Sequence, residues 1–293
     1  MGGVYNDSER EKCRLFEYSL SANTWDMFDT HIANFALASY KSTLMLIGGI
    51  EYEFCRFSST EKSPTNKIWF LNDQYQLQEA DIPPMNVNRK SAQAIGHRKH
   101  LIVVGGDLEE TKTVEVYDSD TEEWLFAPSL PQSSLHVRSP VIHLDGNLYI
   151  QLESLIGYKS RIIYASLESV IAQATSSVQG NDNSFWNEIS HPWPFNTLSN
   201  VMLCQGHLIL IGSDNSTIYR QDHPPRSIFV YQPSGSTPRW LDIASVPLDL
   251  YGQVGKAHII SASDEQFLLL GEDSRNARHP QEDMFFIPFQ GHC

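Results

Sequence analysis

Eleven histidines, four cysteines and 35 acidic residues give this 293-residue chain the raw material for metal binding or acid–base chemistry. Their placement does not assemble it. His97 and His100 fall in a strand turn, while His223, His279 and His292 lie in separate loops, a scatter that reads as packing and surface histidines rather than a metal site. Cys13, Cys55, Cys204 and Cys293 are far apart and form no Cys-x-x-Cys pair, so they read as reduced thiols in a cytosolic protein. Gly252-Gln253-Val254-Gly255-Lys256 is too short for a phosphate-binding loop and leads into a strand pattern. No Gly-x-Ser-x-Gly turn occurs to present a nucleophilic serine. No catalytic residue, metal or cofactor is therefore expected.

The formal charge of −14 disfavours nucleic acid and anionic membrane as partners of the chain as a whole, although a local basic patch remains compatible with it. No stretch reaches the roughly 18 apolar residues of a membrane span. The N-terminal residues lack the basic-then-apolar order of a secretion signal, so the expected location is cytoplasmic, and the Asn-x-Ser/Thr sequons at Asn6 and Asn215 read as chance matches. An apolar content of 41% allows a substantial core, and 11% aromatics with 19% charged residues suit many short strands better than helices.

The elements that position any site come from an internal repeat. Its clearest copy starts at Ala94-Ile95, turns at Gly96 to Lys99, runs through Leu101-Ile102-Val103-Val104 and ends at Gly105-Gly106. After a polar loop, Val114 to Asp118 alternates like a strand, and Thr121-Glu122-Glu123-Trp124 opens another. Equivalent apolar runs end at Gly48-Gly49, Ile150, Gly212 and Gly271, preceded by turn signals such as Asp145-Gly146 and Gln205-Gly206. Tyr18 and Trp25 lie seven residues apart, as do Tyr117 and Trp124, and Tyr231 and Trp240 lie nine apart. Glycine at the end of an inner strand permits close backbone approach and positive φ, and large aromatics fill the wedge between twisted sheets.

Gly105-Gly106, Tyr117-Asp118 and Trp124, with Met85-x-x-x-Arg89 ahead of the inner strand, resemble the kelch repeat. The resemblance extends over nearly the whole chain. It weakens where Gln151-Leu152 replaces the glycine pair and where Gly212-Ser213 or Gly271-Glu272 keeps one glycine. It implies an all-β fold: a single kelch-type β-propeller domain over 1–293, built of four-stranded blades with landmarks near 13–28, 36–78, 92–126, 139–188, 200–242 and 257–289. Residues 13–28 supply two outer strands of a first blade, with Gly2-Gly3 as the tail of a missing inner strand, and 257–289 supply three strands. The expectation is five to six blade positions, incomplete or open at the termini, with a closed five-bladed ring plus a spare strand as the alternative. Between Tyr164 and Trp186, Leu167, Val170, Ile171 and Ala174 recur at helical spacing behind Ser166, which predicts a short helical insertion near 166–176 that covers a blade edge or meets a partner.

In a propeller, loops joining second to third strands, and fourth strands to the next blade, open on one face. Tyr52, Phe54, Arg56, Tyr158 and Arg226 fall in the first set, and Arg89, His136, Arg138 and Tyr251 in the second. Arginine and tyrosine are common interface anchors, and Arg89 and Arg138 match the arginine that opens an inner strand in the family. Arg89, Arg138, His136, Tyr251, Arg56, Tyr52, Tyr158 and Arg226 are the candidate partner-binding residues. Gly48, Gly49, Gly105, Gly106, Tyr117, Trp124, Trp25 and Trp240 are the structural landmarks. The resemblance implies a protein-interaction module taking another protein or an acidic peptide and, by analogy alone, the substrate-recognising part of a ubiquitin-ligase adaptor or scaffold. Some propellers of this kind are enzymes, so a metal- or sugar-dependent enzyme is one alternative; Glu272, Asp273 and His279 only approximate the Glu-x-x-x-Asp-x-x-x-His spacing of iron-dependent members. A repeat fragment without independent function is the other.

Overall fold

A computed structural model of the chain describes residues 2–7, 12–19, 24–55, 58–72, 74, 76–106, 112–131, 135–137, 140–154, 160–176, 185–190, 197–204, 206–214, 227–232, 239–245, 256–261, 266–272 and 284–288, with side chains for most of those between Thr30 and Asp242. They form six successive antiparallel sheets, one hairpin sheet and one helix. The chain divides into two compact units that interleave along the sequence.

The first unit comprises Met1–Val137, Gly146–Leu148 and Ala165–Asn187. Its first sheet pairs Gly2–Asp7, Lys12–Ser19 and Thr24–Thr30 in order, with Tyr18 opposite Trp25. Only two strands were expected. Gly2-Gly3 opens a strand here instead of closing one, because Val4 and Tyr5 behind it favour an extended backbone and pair with Leu15 and Arg14. The second sheet runs Ala36–Tyr40, Thr43–Ile47, Ile68–Leu71 and Leu77–Glu79 from inside outward. Between its second and third strands the chain leaves to build a separate sheet from Ile32–Ala33, Ile50–Cys55 and Ser58–Pro64, so Tyr52 and Phe54 stand in a strand and not in a simple loop. The third sheet is Gln93–His97, His100–Val104, Val114–Asp118 and Glu123–Ala127, four strands in sequence order.

The core of this unit lies between the second and third sheets. Ala36, Ala38, Tyr40, Met45, Ile47 and Ile68 meet Ala92, Leu101, Val103, Tyr117 and Trp124, with Met85 of the linker among them. The two inner strands come closest at Gly96, where a Cβ would lie 2.1 Å from the Ser39 carbonyl oxygen. The expected helix is present as Leu167–Thr175; Ser166 caps it by accepting from the Ser169 N–H at 3.4 Å, and Leu167, Val170, Ile171 and Ala174 are buried. It packs on Glu123–Ala127, the outer strand of the third sheet, in agreement with the edge-covering reading.

The second unit comprises Arg138–Asp145, Tyr149–Tyr164 and Glu188–Cys293. The sheet around Asn147–Ser154 continues outward through Ser160–Ser166 and Asn187–Ile189, while inward it carries two short pieces, Leu135–Val137 and Ile142–Leu144. Pro140, which has no N–H to give a ladder, lies in the break between those pieces. Thr197–Cys204, His207–Asp214, Ser227–Gln232 and Arg239–Ser245 make the fifth sheet, and Lys256–Ser261, Gln266–Glu272 and Met284–Pro288 the sixth. Ile142, Tyr149, Ile162, Ile189, Val201, Leu208, Leu210 and Tyr231 form the core here. The described residues thus hold six successive antiparallel sheets of three to five strands with one short helix, the strand content of an incomplete β-propeller.

Gly96→Ala should lower stability by about 2–4 kcal/mol, because backbone atoms of the neighbouring strand must move. Gly146→Ala, with φ at +74° and nothing within 4 Å of the added Cβ, should cost only about 1 kcal/mol of backbone strain. Urea midpoints of the two variants check the difference, and equal shifts would contradict the close approach at Gly96.

Candidate functional site

The linker from Pro83 to Arg89 joins the second blade to the third, and its polar groups are fixed one by one. Asn66 and Met85 exchange bonds, Met85 N–H to the Asn66 carbonyl at 2.9 Å and Asn66 Nδ2 to the Met85 carbonyl at 2.7 Å. Asn86 N–H donates to Glu115 Oε2 at 2.8 Å, and Asn86 Nδ2 donates to the Trp124 carbonyl at 2.9 Å. Arg89 pairs with Thr65 through its own N–H at 3.0 Å, and its carbonyl accepts from Gly49 N–H at 2.6 Å. The glycine pair is needed at that point: Gly48 has φ +64°, and a Cβ on it would stand 2.5 Å from the Arg89 carbonyl oxygen.

The Arg89 side chain points inward. Nε and Nη2 donate to Glu115 Oε1 at 3.2 and 2.8 Å, Nη2 also to Thr113 Oγ1 at 2.7 Å, and Nη1 to the carbonyls of Thr113, at 3.2 Å, and Gly105. Neither side chain of the ion pair has any exposed surface. The expectation that Arg89 faces a partner is thus corrected: its guanidinium is enclosed, because Glu115 is carried on a strand whose two faces are both covered and needs a fork of donors beside it.

Of the other candidate residues, Tyr52 is placed by its backbone opposite Glu61 and His136 within Leu135–Val137. Arg56, Arg138, Tyr158, Arg226 and Tyr251 lie outside the described residues. Tyr117 and Trp124 are cross-strand partners with ring centroids 5.3 Å apart, Tyr231 and Trp240 repeat this at 5.1 Å, and Trp25 is placed by its backbone opposite Tyr18. Three tryptophans, on an outer strand or just ahead of one, also hook the linker before their own blade. Trp124 Nε1 donates to Pro83 O at 2.7 Å, Trp186 Nε1 to Ser129 O at 2.9 Å, and Trp240 Nε1 to Ser190 O at 3.0 Å.

Sequence reasoning missed Glu115, Asn86, Thr113 and Gln151. Glu115 sits in Val-Glu-Val-Tyr-Asp, an alternation that reads as solvent-facing at the acid, whereas all five positions are buried. Gln151 stands where the fourth copy lacks its glycine and is itself buried. It donates through Nε2 to Ser160 Oγ at 2.8 Å and accepts from Val201 N–H at 2.9 Å.

The remaining titratable cluster sits at the hairpin end of the third blade. Asp118 accepts from Asp120 N–H at 2.9 Å and from Lys99 Nζ at 3.1 Å, with His100 Nε2 3.6 Å away. The Asp120 N–H, and after it the Lys99 ammonium, hold the Asp118 carboxyl below its ordinary value against the opposing effect of burial. Burial pushes the Tyr117 and Tyr231 hydroxyls up, so both phenols stay protonated at neutral pH. Among the described residues no group of three or more His, Cys, Asp or Glu side chains is arranged to hold a metal ion, and no helix is long and apolar enough to cross a membrane. The arrangement fixes linkers and loop bases.

Arg89→Met, which leaves Glu115 buried and unmatched, should cost about 3–5 kcal/mol, while Arg89→Met with Glu115→Met should recover more than half of that. Urea titration of the three proteins checks the recovery. For Asp118 the lowered value means that folding favours the ionised form, so its stabilisation is complete above the ordinary carboxylate range and is lost as pH falls through the lowered value. Asp118→Asn should therefore flatten the stability profile between about pH 2 and 5 and leave its slope unchanged near neutrality, as urea midpoints taken across that range would show.

The family model described as Kelch motif matches residues 88–131, a span that opens just before Arg89, takes in the whole third sheet and closes just past Leu130. On that match, the third sheet with the linker ahead of it is a kelch motif, and the other successive sheets of the described residues are similar to it in their antiparallel strand order.

Proposed function

We propose that the chain holds another protein on the loop face of its propeller and reads an acidic segment of it. A kelch motif marks a protein-interaction propeller, and the observation that supports the reading here is the division of labour in the third blade. Its polar groups are spent on fixing where the chain leaves the sheet at Gly105 and re-enters it at Thr113. Arg138, Arg56 and Arg226, with Tyr52, Tyr158, His136 and Tyr251, are the residues proposed to meet the partner; Arg89 is withdrawn from that set. On a chain of net charge −14 these arginines are the groups proposed to attract acidic sequence. The setting proposed is the cytoplasm, and the role is substrate recognition within a ubiquitin-ligase adaptor or scaffold, without catalysis by this chain.

Capture of partners from a cytosolic extract on the purified chain, followed by anisotropy titration with an acidic peptide from a captured protein, tests the reading. Combined Arg56→Glu, Arg138→Glu and Arg226→Glu should weaken binding by at least about tenfold, that being roughly 1.4 kcal/mol, without moving the melting temperature. Unchanged affinity for every captured protein would remove the loop face from the account.

A further inference from the structure

The hairpin sheet that leaves the second blade presents a serine followed by a proline on its outer strand. Its strands lie in the order Ile32–Ala33, Ile50–Cys55 and Ser58–Pro64, so Ser58–Pro64 has no further strand beside it among the described residues. Across the ladder Ile50 faces Pro64 and Tyr52 faces Glu61, which leaves Lys62 and Ser63 together against the single Glu51. That is a bulge, and it breaks the regular pairing at this point. Ser63 is exposed and Pro64 half-buried. Proline holds the residue before it in extended backbone and has no N–H of its own.

We propose that Ser63 is a phosphorylation site, taken by a kinase that requires proline at the following position. An active site of that kind holds its substrate extended and provides no acceptor for the next backbone N–H, so every residue but proline would bury an unpaired donor there. Ser63 and Pro64 meet both conditions in the folded chain. In the step, the γ-phosphoryl group of a magnesium-bound nucleoside triphosphate passes to Ser63 Oγ. The new O–P bond forms, the bond to the bridging β-phosphate oxygen breaks, the nucleoside diphosphate leaves, and the hydroxyl proton goes to the kinase's carboxylate base. The product carries about two negative charges across from Glu51, and like charges facing each other between strands weaken their pairing. Phosphorylation therefore loosens the base of the hairpin, where Thr65 N–H meets the Gly49 carbonyl at 3.0 Å. None of this depends on what the loop face binds.

The full chain is incubated with a proline-directed kinase and labelled ATP beside a free peptide of residues 58–69, and the phosphate is located by mass spectrometry. Ser139 and Thr237, which also precede prolines and lie outside the described residues, are separated from Ser63 by this mapping. Phosphate should appear on Ser63 of the folded chain, vanish in Ser63→Ala and fall at least about tenfold in Pro64→Ala. Hydrogen exchange at the Thr65 amide should be about threefold faster in the phosphorylated chain while the amides of His100–Val104 stay unchanged, and Glu51→Gln should remove most of that difference. Phosphate at Ser63 of the peptide but not of the chain, or equal uptake with and without Pro64, overturns the site; if Pro64→Ala does not fold, the same substitution in the peptide decides. An unchanged Thr65 rate, or an increase that Glu51→Gln leaves intact, overturns the loosening.

Discussion

A carboxylate with no exposed surface must be matched inside the protein, and Glu115 imposes that requirement on everything around it. Its two oxygens are met from the preceding linker, Oε2 by the Asn86 N–H and Oε1 by the Arg89 fork. A strand of one blade thereby dictates the path of the chain that enters it. Because Arg89 also receives Gly49 N–H on its carbonyl, the same residue meets the end of the preceding blade's second strand. The pairing of charge is directional where apolar contact is not: a guanidinium that meets Glu115 Oε1, Thr113 Oγ1 and the Gly105 carbonyl together fits in one register.

The tryptophan hooks make the same connection at the outer rim. Trp124 buries its ring in the core between the second and third sheets and gives its N–H to the Pro83 carbonyl of the linker. Trp186 and Trp240 do likewise in their own blades. Apolar area and a directional bond come from one side chain, which explains why an aromatic with a donor occupies this place. Phenylalanine would fill the wedge without giving that bond.

How much of this could be read from sequence depended on whether the cause was local. Sheet positions were legible because Gly48, Gly105 and Asp145-Gly146 need backbone angles that few residues tolerate, and those residues mark strand ends wherever they stand. The helix at Leu167–Thr175 was legible from a cap and a spacing. Arg89 was misplaced because an arginine in a linker has no local feature that distinguishes solvent from core. The deciding partner, Glu115, lies 26 residues on, within an alternation that looks half-exposed. The hairpin sheet of Ile50–Cys55 and Ser58–Pro64 was missed for a related reason: its third strand is only Ile32–Ala33, too short to carry a pattern.

Gln151 shows what a degenerate repeat has to preserve. The third copy closes its base with a glycine whose N–H meets Thr113 and whose carbonyl meets Arg89. The fourth copy has no glycine there, and its side-chain amide takes over with a donor to Ser160 and an acceptor for Val201 N–H, a backbone group of the next inner strand. Two connections survive the substitution, one across the base and one to a neighbouring strand, though neither uses the original atoms. What the third and fourth copies share is therefore that their buried donors and acceptors are closed, not the residue type that closes them.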